Sequence, residues 1–359
     1  MTEVPRLGIV TNDFPPKRGG IQQYLGNLVA AYPGEVVVLA PSDGPADTRA
    51  TVIRHRSRFM WPTPKMTDWV AAELADADVD VVLFGAPWPL PLMTDRVRAR
   101  IDRPVAVIGH GAEVTMPAAV PGLAAAVRRA LTAPDLVFAV SRFTAGRIER
   151  LTGRPVHHLG AGVDIDKFTP SPPVERPRPV IGCVSRFVPR KGQHLLLDAV
   201  AELAGEGLDL DVVLAGRGRT ERSLRTRATR IGVPVRFIVD APWDQLPSIY
   251  ASLDVFAMPC RSRWFGLEVE GLGLVFLEAA ASGLPVIAGS SGGSPETVVD
   301  GETGYVVDTN DELVEALRTL AGDPGLRSRM GAAGRARMEA VCTWRAVVDR
   351  LLAAFGEVR

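Results

Sequence analysis

Short apolar runs recur along the chain, separated by stretches in which apolar positions return every three or four residues. The runs predict strands at Leu7–Thr11, Val36–Ala40, Val81–Phe84, Val105–Gly109, Leu136–Val140, Val180–Val184, Asp211–Ala215, Val235–Val239, Val255–Met258, Pro285–Ala288 and Gly304–Val307. They are rich in Val, Ile and Leu without strict alternation, as suits parallel strands covered on both faces. The longer period predicts helices near Ile21–Ala31 and at Leu195–Gly205, Thr220–Ile231, Glu312–Ala321 and Trp344–Phe355. This rhythm is that of an α/β protein with doubly wound parallel sheets.

The rhythm breaks once. Thr169–Pro179 carries five prolines in eleven residues, and such a segment suits neither a helix interior nor a central strand. The expected organisation is a first Rossmann-like domain over 1–170, a Pro-rich hinge over 171–179 and a second such domain over 180–343. A terminal helix over 344–359 completes it.

Composition narrows the class. The 359 residues are 47% apolar and 23% charged, an ordinary globular mixture long enough for two cores. Lys+Arg and Asp+Glu are both 41, so the basic excess of a nucleic-acid binder is missing. Cys183, Cys260 and Cys342 form no CxxC pair, which reads as a reduced, cytosolic chain. The amino terminus lacks the apolar run of a signal peptide, and the longest charge-free stretches are broken by Pro, Gly and Ser. Between Asp47 and Asp68 the only charges are basic: Arg49, Arg54, Arg56, Arg58 and Lys65, beside Phe59, Met60 and Trp61. The Arg54–Lys65 stretch suits either an anionic membrane surface on the inner face or an ordinary solvated loop.

Several loops carry candidate chemistry. Gly19 and Gly20 open a helix after the first strand, where backbone N–H groups and the helix N-terminus favour an anion, and Lys17 and Arg18 add charge. Arg186 and Lys191 follow the first strand of the second half, where a departing diphosphate needs positive charge. Glu270 and Glu278 lie eight apart around Gly271-Leu272-Gly273, pairing two diol acceptors with a run of backbone donors. His110 stands at the end of a strand, placed to hydrogen-bond a reacting ligand. Alone, each spelling also suits a plain βα turn, a solvated basic turn, helix-start acids or a structural histidine.

Other spellings fail. Gly289-Ser290-Ser291-Gly292-Gly293 matches a nucleophile elbow, but none of the five histidines follows Ser291. Glu221 stands where a dinucleotide fingerprint starting at Gly216 needs its third glycine. The D-x-D pairs have no third ligand nearby, so no metal and no cofactor is expected.

As an ordered set, these motifs resemble the retaining glycosyltransferases of the GT-B type, family GT4. The segments TNDFPPKRGGIQQYL, SRFVPRKGQ, AMPCRSR and VEGLGLVFLEAAASGLPVIAGSSGGSPETV are similar in wording to the actinobacterial PimB-type phosphatidylinositol mannosyltransferases. The resemblance implies two Rossmann-like domains facing across a cleft, with the last helix returning to the first domain. It implies metal-free transfer of mannose from GDP-mannose to a phosphatidylinositol mannoside or other lipid-linked or glycan acceptor. In that reading Arg186 and Lys191 bind the diphosphate, Glu270 and Gly271–Gly273 the sugar, and Glu278 the ribose. Gly19 and Gly20 close on the phosphates, and His110 contacts the donor sugar. The chain departs from the pattern at Ala112–Gly122, at Gly160-Ala161-Gly162 and at the bulky Arg261–Gly266 segment. A UDP-sugar transferase with a soluble acceptor, or a silent nucleotide-sugar-binding protein, shares the same fold.

Overall fold

A computed structural model describes residues 4–120, 122–172 and 176–358. The chain forms two compact units, one of residues 1–161 with 344–359 and the other of residues 162–343.

The first unit holds an all-parallel sheet of β1 (Leu7–Val10), β2 (Val36–Ala40), β3 (Thr51–Arg54), β4 (Val81–Phe84), β5 (Val105–Gly109), β6 (Leu136–Ala139) and β7 (His157–His158), in the order β3-β2-β1-β4-β5-β6-β7. β1, β2, β4, β5 and β6 are buried at every position, which is why they read as unbroken apolar runs. The edge strand β3 has no fully buried residue, and β7 is two residues long. Neither carries enough apolar sequence to be legible.

The second unit repeats the design with β8 (Val180–Val184), β9 (Asp211–Ala215), β10 (Val235–Ile238), β11 (Val255–Met258), β12 (Val286–Gly289) and β13 (Gly304–Val307), in the order β10-β9-β8-β11-β12-β13. In each sheet the strand order reverses once, between β1 and β4 and between β8 and β11. Ligands of such sheets bind at that reversal, beyond the carboxyl ends of the strands.

The helix Trp344–Phe355 is counted with the first unit. It buries Trp344, Val347, Val348, Leu351, Ala354 and Phe355. Trp344 meets Tyr24 edge-on at 5.1 Å, Phe355 meets Phe138 at 6.1 Å, and Arg350 Nε donates to the Leu159 carbonyl at 2.9 Å. Each buried aromatic in such a seam contributes about 1.5–3 kcal/mol.

The division between units falls at Ala161/Gly162 rather than within the Pro-rich 171–179, of which residues 173–175 lie outside the described residues. Packing overrides the prolines. Val163 N–H donates to Cys342 O at 2.8 Å, and buried Phe168 meets Tyr250 edge-on at 5.6 Å. Arg335 Nη1 donates to the carbonyls of Ile165 at 2.9 Å and Phe168 at 2.6 Å. These contacts make residues 162–172 part of the second unit's body.

Candidate active site

In the first unit the site residues gather on the loops beyond β1, β4 and β5. Gly20 is the first residue of the helix Gly20–Ala31, whose first turn has neither a side-chain cap nor an acid. A Cβ on Gly20 would meet nothing within 4 Å, and one on Gly19 would meet only the end of the Gln22 side chain. Packing therefore does not demand glycine at either position. Gly85 is different: a Cβ there would lie 2.7 Å from Leu25 Cδ1. The Gly85 carbonyl accepts from His110 Nε2 at 2.9 Å, so the neutral ring carries its proton on Nε2. His110 is buried against Tyr24, ring to ring at 5.1 Å. Burial drives its pKa down to about 4, partly opposed by the Gly85 bond and by Asp13, so the ring is neutral near pH 7.

Asp13 was not marked by any sequence pattern. Burial raises its pKa, while Lys17 and His110 pull the other way. Gln22 Nε2 donates to Asp13 Oδ1 at 2.7 Å. Lys17 Nζ lies 3.0 Å from Asp43 Oδ2 and donates to the Asn12 carbonyl. Asn12 in turn clamps the backbone of Met60 with two hydrogen bonds, 2.7 and 3.2 Å, tying the first loop to the basic segment.

That segment divides by role. Arg54 donates to the carbonyls of Pro15 and Pro41, and Arg49 to those of Tyr32 and Gly34. Arg54 therefore belongs to the architecture and leaves the candidate membrane set. Arg56, Arg58 and Lys65 remain exposed, beside exposed Phe59 and Trp61, whose rings lie 4.7 Å apart.

In the second unit the loop after β8 meets the loop before the helix Leu274–Ala281. Lys191 Nζ lies 2.8 Å from Glu270 Oε2, and Arg190 Nη1 pairs with the same oxygen. Burial alone would raise the Glu270 pKa, but Lys191 and then Arg190 bring it down to about 2. Arg190 Nε also faces Glu268 Oε1 at 3.7 Å, and Arg263 Nη1 pairs with Glu268 Oε2 at 3.3 Å. Arg190 carries no assigned role in the sequence reading; its adjacency to Lys191 is the only hint of this second hold on Glu270.

Arg186 is exposed, in contrast to Lys191, and its side chain has no ion-pair partner among the described residues. Its carbonyl accepts from Gln193 Nε2 at 2.9 Å, which fixes the loop. Gly192, at φ 75°, passes under Pro259, whose carbonyl oxygen would sit 2.1 Å from a Cβ there. The glycines of Gly216-Arg217-Gly218 serve the same loop: Cβ atoms would strike the Ser185 and Phe187 carbonyls. Ser291 Oγ accepts from Glu270 N–H at 3.1 Å, so the elbow-like spelling is a brace for Glu270.

Gly271, Leu272 and Gly273 are partly exposed and lead into the helix Leu274–Ala281, with Gly273 at φ 94° as its cap. Glu278 lies one helical turn further on and is buried. Tyr250 Oη donates to Glu278 Oε2 at 2.8 Å, a partner the sequence did not signal. The structure therefore brings Lys191, Glu270 and Gly271–Gly273 together and sets Glu278 deeper in the same unit. Gly19, Gly20 and His110 belong to the other unit. Among the described residues no three His, Cys, Asp or Glu side chains are grouped to hold a metal ion.

Two doubly wound parallel units, each with its charged loops at the carboxyl ends of its strands, have the architecture of the GT-B class of glycosyltransferases. The matching family models are "Glycosyltransferase Family 4" over residues 18–167 and "Glycosyl transferases group 1" over residues 164–337. The chain is 41% identical to the GDP-mannose-dependent alpha-(1-6)-phosphatidylinositol monomannoside mannosyltransferase of Mycolicibacterium smegmatis, covering 91% of this chain and 92% of the relative. It is 38% identical to a GDP-mannose-dependent monoacylated alpha-(1-6)-phosphatidylinositol monomannoside mannosyltransferase of Corynebacterium glutamicum, covering 96% of both. Anabaena HepE, solved with UDP and glucose, shares the fold at a TM-score of 0.77 and 18% identity, over 98% of this chain and 100% of that one. A sucrose-phosphate synthase from Thermosynechococcus elongatus does so at 0.80 and 20%, over 99% of both. The chain belongs to glycosyltransferase family 4, among the PimB-type mannosyltransferases. No helix among the described residues is long and apolar enough to cross a membrane.

Proposed function

We propose that the chain transfers mannose, with retention of configuration and without a metal, from GDP-mannose to a phosphatidylinositol mannoside or closely related lipid acceptor. The observation that carries this reading is the pairing of near-full-length identity to such enzymes with the buried Lys191–Glu270 pair. Exposed Arg186 and buried Lys191 receive the diphosphate. Lys191 then exchanges its Glu270 partner for phosphate oxygens, and Arg190 keeps Glu270 ionised during the exchange. Glu270 and the backbone of Gly271–Gly273 hold sugar hydroxyls, and Glu278, oriented by Tyr250, takes the ribose. Gly19 and Gly20 offer backbone donors to phosphate. Neutral His110 contacts the donor sugar without adding positive charge beside a developing oxocarbenium ion. As the glycosidic bond to the diphosphate breaks, positive charge grows on the sugar and negative charge on the leaving group. Only cationic contacts that strengthen at that point accelerate the step. The acceptor hydroxyl attacks from the face the diphosphate leaves, and its proton passes to the departing phosphate.

Arg56, Arg58, Lys65, Phe59 and Trp61 bring the first unit to an anionic bilayer, where a lipid acceptor resides. The test is thermal stability with GDP, UDP or ADP in EDTA, followed by transfer from the matching sugar nucleotide to lipid acceptors. A ligand at 100 times its dissociation constant stabilises by about 2.7 kcal/mol. A shift with GDP, and mannosyl transfer to a phosphatidylinositol mannoside, are expected. A shift with UDP alone redirects the donor to UDP-sugars, and binding without transfer to any acceptor points to a silent nucleotide-sugar-binding protein.

A further inference from the structure

Residues Arg263 to Glu268, overlapping the bulky Arg261–Gly266 segment, form a tight hairpin in the second unit. Arg263 and Glu268 close its base with backbone hydrogen bonds of 2.9 and 3.2 Å, and Gly266 and Leu267 N–H groups turn back onto Arg263 and Trp264 carbonyls. Its tip is Trp264-Phe265. Trp264 is 52% exposed and Phe265 fully exposed. Both have left-handed backbone, at φ 50° and 54°, a conformation that glycine adopts readily and aromatic residues rarely do. Neither ring is held by a core; the Arg263 guanidinium lies over the Trp264 ring at 5.3 Å. The base is stiff, because Glu268 is paired with both Arg263 and Arg190. Left-handed backbone favours small residues here, and burial of the Phe265 ring does not offset the cost.

We propose that Trp264 and Phe265 form an interfacial anchor of the second unit that inserts among the headgroups and upper acyl chains of an anionic bilayer. The inference rests on the reading of a lipid-linked acceptor. Two observations favour a lipid surface. Phe265 stands fully exposed at the tip with an apolar ring and no polar handle, and the adjacent Arg263, while paired with Glu268, keeps about a third of its side chain in solvent beside the rings, where anionic headgroups are met. The same chemistry, an exposed aromatic pair with flanking cations, stands on the first unit at Phe59, Trp61, Arg56 and Arg58.

The full-length protein is measured for partition onto vesicles of phosphatidylcholine with about one-third phosphatidylglycerol. W264S/F265S is expected to weaken partition by about tenfold, with R56S/R58S/K65S weakening it separately. W264G/F265G, which suits the left-handed backbone, is expected to match the serine variant while keeping the wild-type thermal response to GDP. Wild-type partition in both tip variants overturns the anchor; the lipid reading then stands on the loss in R56S/R58S/K65S. A tip variant that partitions normally but fails to glycosylate a deacylated, water-soluble acceptor also overturns it, since the tip then grips the acceptor. Absence of wild-type partition at low salt removes both the anchor and the lipid-surface reading.

Discussion

Lys191 Nζ and Glu270 Oε2 lie 2.8 Å apart, and both side chains are buried. A buried pair of this kind adds little over a good apolar contact, but removing one member leaves a charge without compensation. Glu270 retains Arg190 when Lys191 is lost, so Lys191→Met is expected to cost about 1–3 kcal/mol, less than a full orphaning. The Glu270 pKa of about 2 lies below the ordinary 4.5. Its contribution to stability is therefore present above about pH 4.5 and is lost as pH falls toward 2. Urea unfolding of wild type and Lys191→Met at neutral and acidic pH measures both effects. Equal stability of the two proteins at neutral pH would contradict the assignment.

His110 makes the opposite kind of statement about charge. Its pKa of about 4 lies below the ordinary 6.5, so between these values the unfolded chain binds a proton that the folded ring refuses. Stability from this group is full above about pH 6.5 and is lost as pH falls to about 4, by on the order of 3 kcal/mol. The ring titration is directly measurable by NMR of nitrogen-labelled histidine. A midpoint near 6.5 would show that the ring is not desolvated.

Most of the sheet was legible because parallel strands buried on both faces leave unbroken Val, Ile and Leu runs. β3 and β7 escaped for the complementary reason: Thr51–Arg54 is an edge strand with no fully buried residue, and His157–His158 is too short to show a period. The unit boundary was misplaced because proline punctuation is visible in a sequence and the docking of Phe168 on Tyr250 is not. At the candidate site, Lys191 and Glu270 could be singled out by spacing. Arg190 and Tyr250 could not, since their roles come from a partner 80 and 28 residues away respectively.

Tyr250→Phe is a clean probe of one such partner. The phenol is buried and donates to Glu278 Oε2, and the same burial, together with Glu278, holds its own pKa well above 10.0. Removing the hydroxyl takes a donor from a buried carboxylate at a cost of about 1–3 kcal/mol. It is also expected to raise the donor KM more than it lowers kcat, because Glu278 is assigned to the ribose and not to the reacting bond. A fall in kcat with KM unchanged would place Glu278 nearer the chemistry.

Within the basic segment, Arg54→Ala should separate from Arg56→Ala and Arg58→Ala. Arg54 donates to two backbone carbonyls, and its loss is expected to destabilise by about 1–2 kcal/mol. The exposed Arg56 and Arg58 should change stability by less than about 0.5 kcal/mol while weakening binding to anionic vesicles in a salt-sensitive way. Thermal melts and vesicle partition at two salt concentrations distinguish the groups. Loss of vesicle binding with Arg54→Ala alone would reverse the division.

Arg186 and Lys191 were singled out together by sequence, and the structure gives them different burdens. Lys191 is buried and neutralises Glu270 before any ligand arrives, whereas Arg186 is exposed and has no ion-pair partner among the described residues. An unpaired cation held on a braced loop contributes little to folding, and like other exposed sites its removal should stay within about 0.5 kcal/mol. Its cost appears when the diphosphate binds, as the loss of a charge-assisted contact worth about 1.5–3 kcal/mol, a ten- to hundredfold weaker grip on GDP. Arg186→Ala should therefore melt with the wild type when unliganded and fail to follow it when GDP is added at the concentration that shifts the wild type. Lys191→Met should fall behind in both conditions. If Arg186→Ala responds to GDP as fully as the wild type does, the diphosphate is held elsewhere, and the exposed Arg186 belongs to the solvated turn that its spelling alone also allowed.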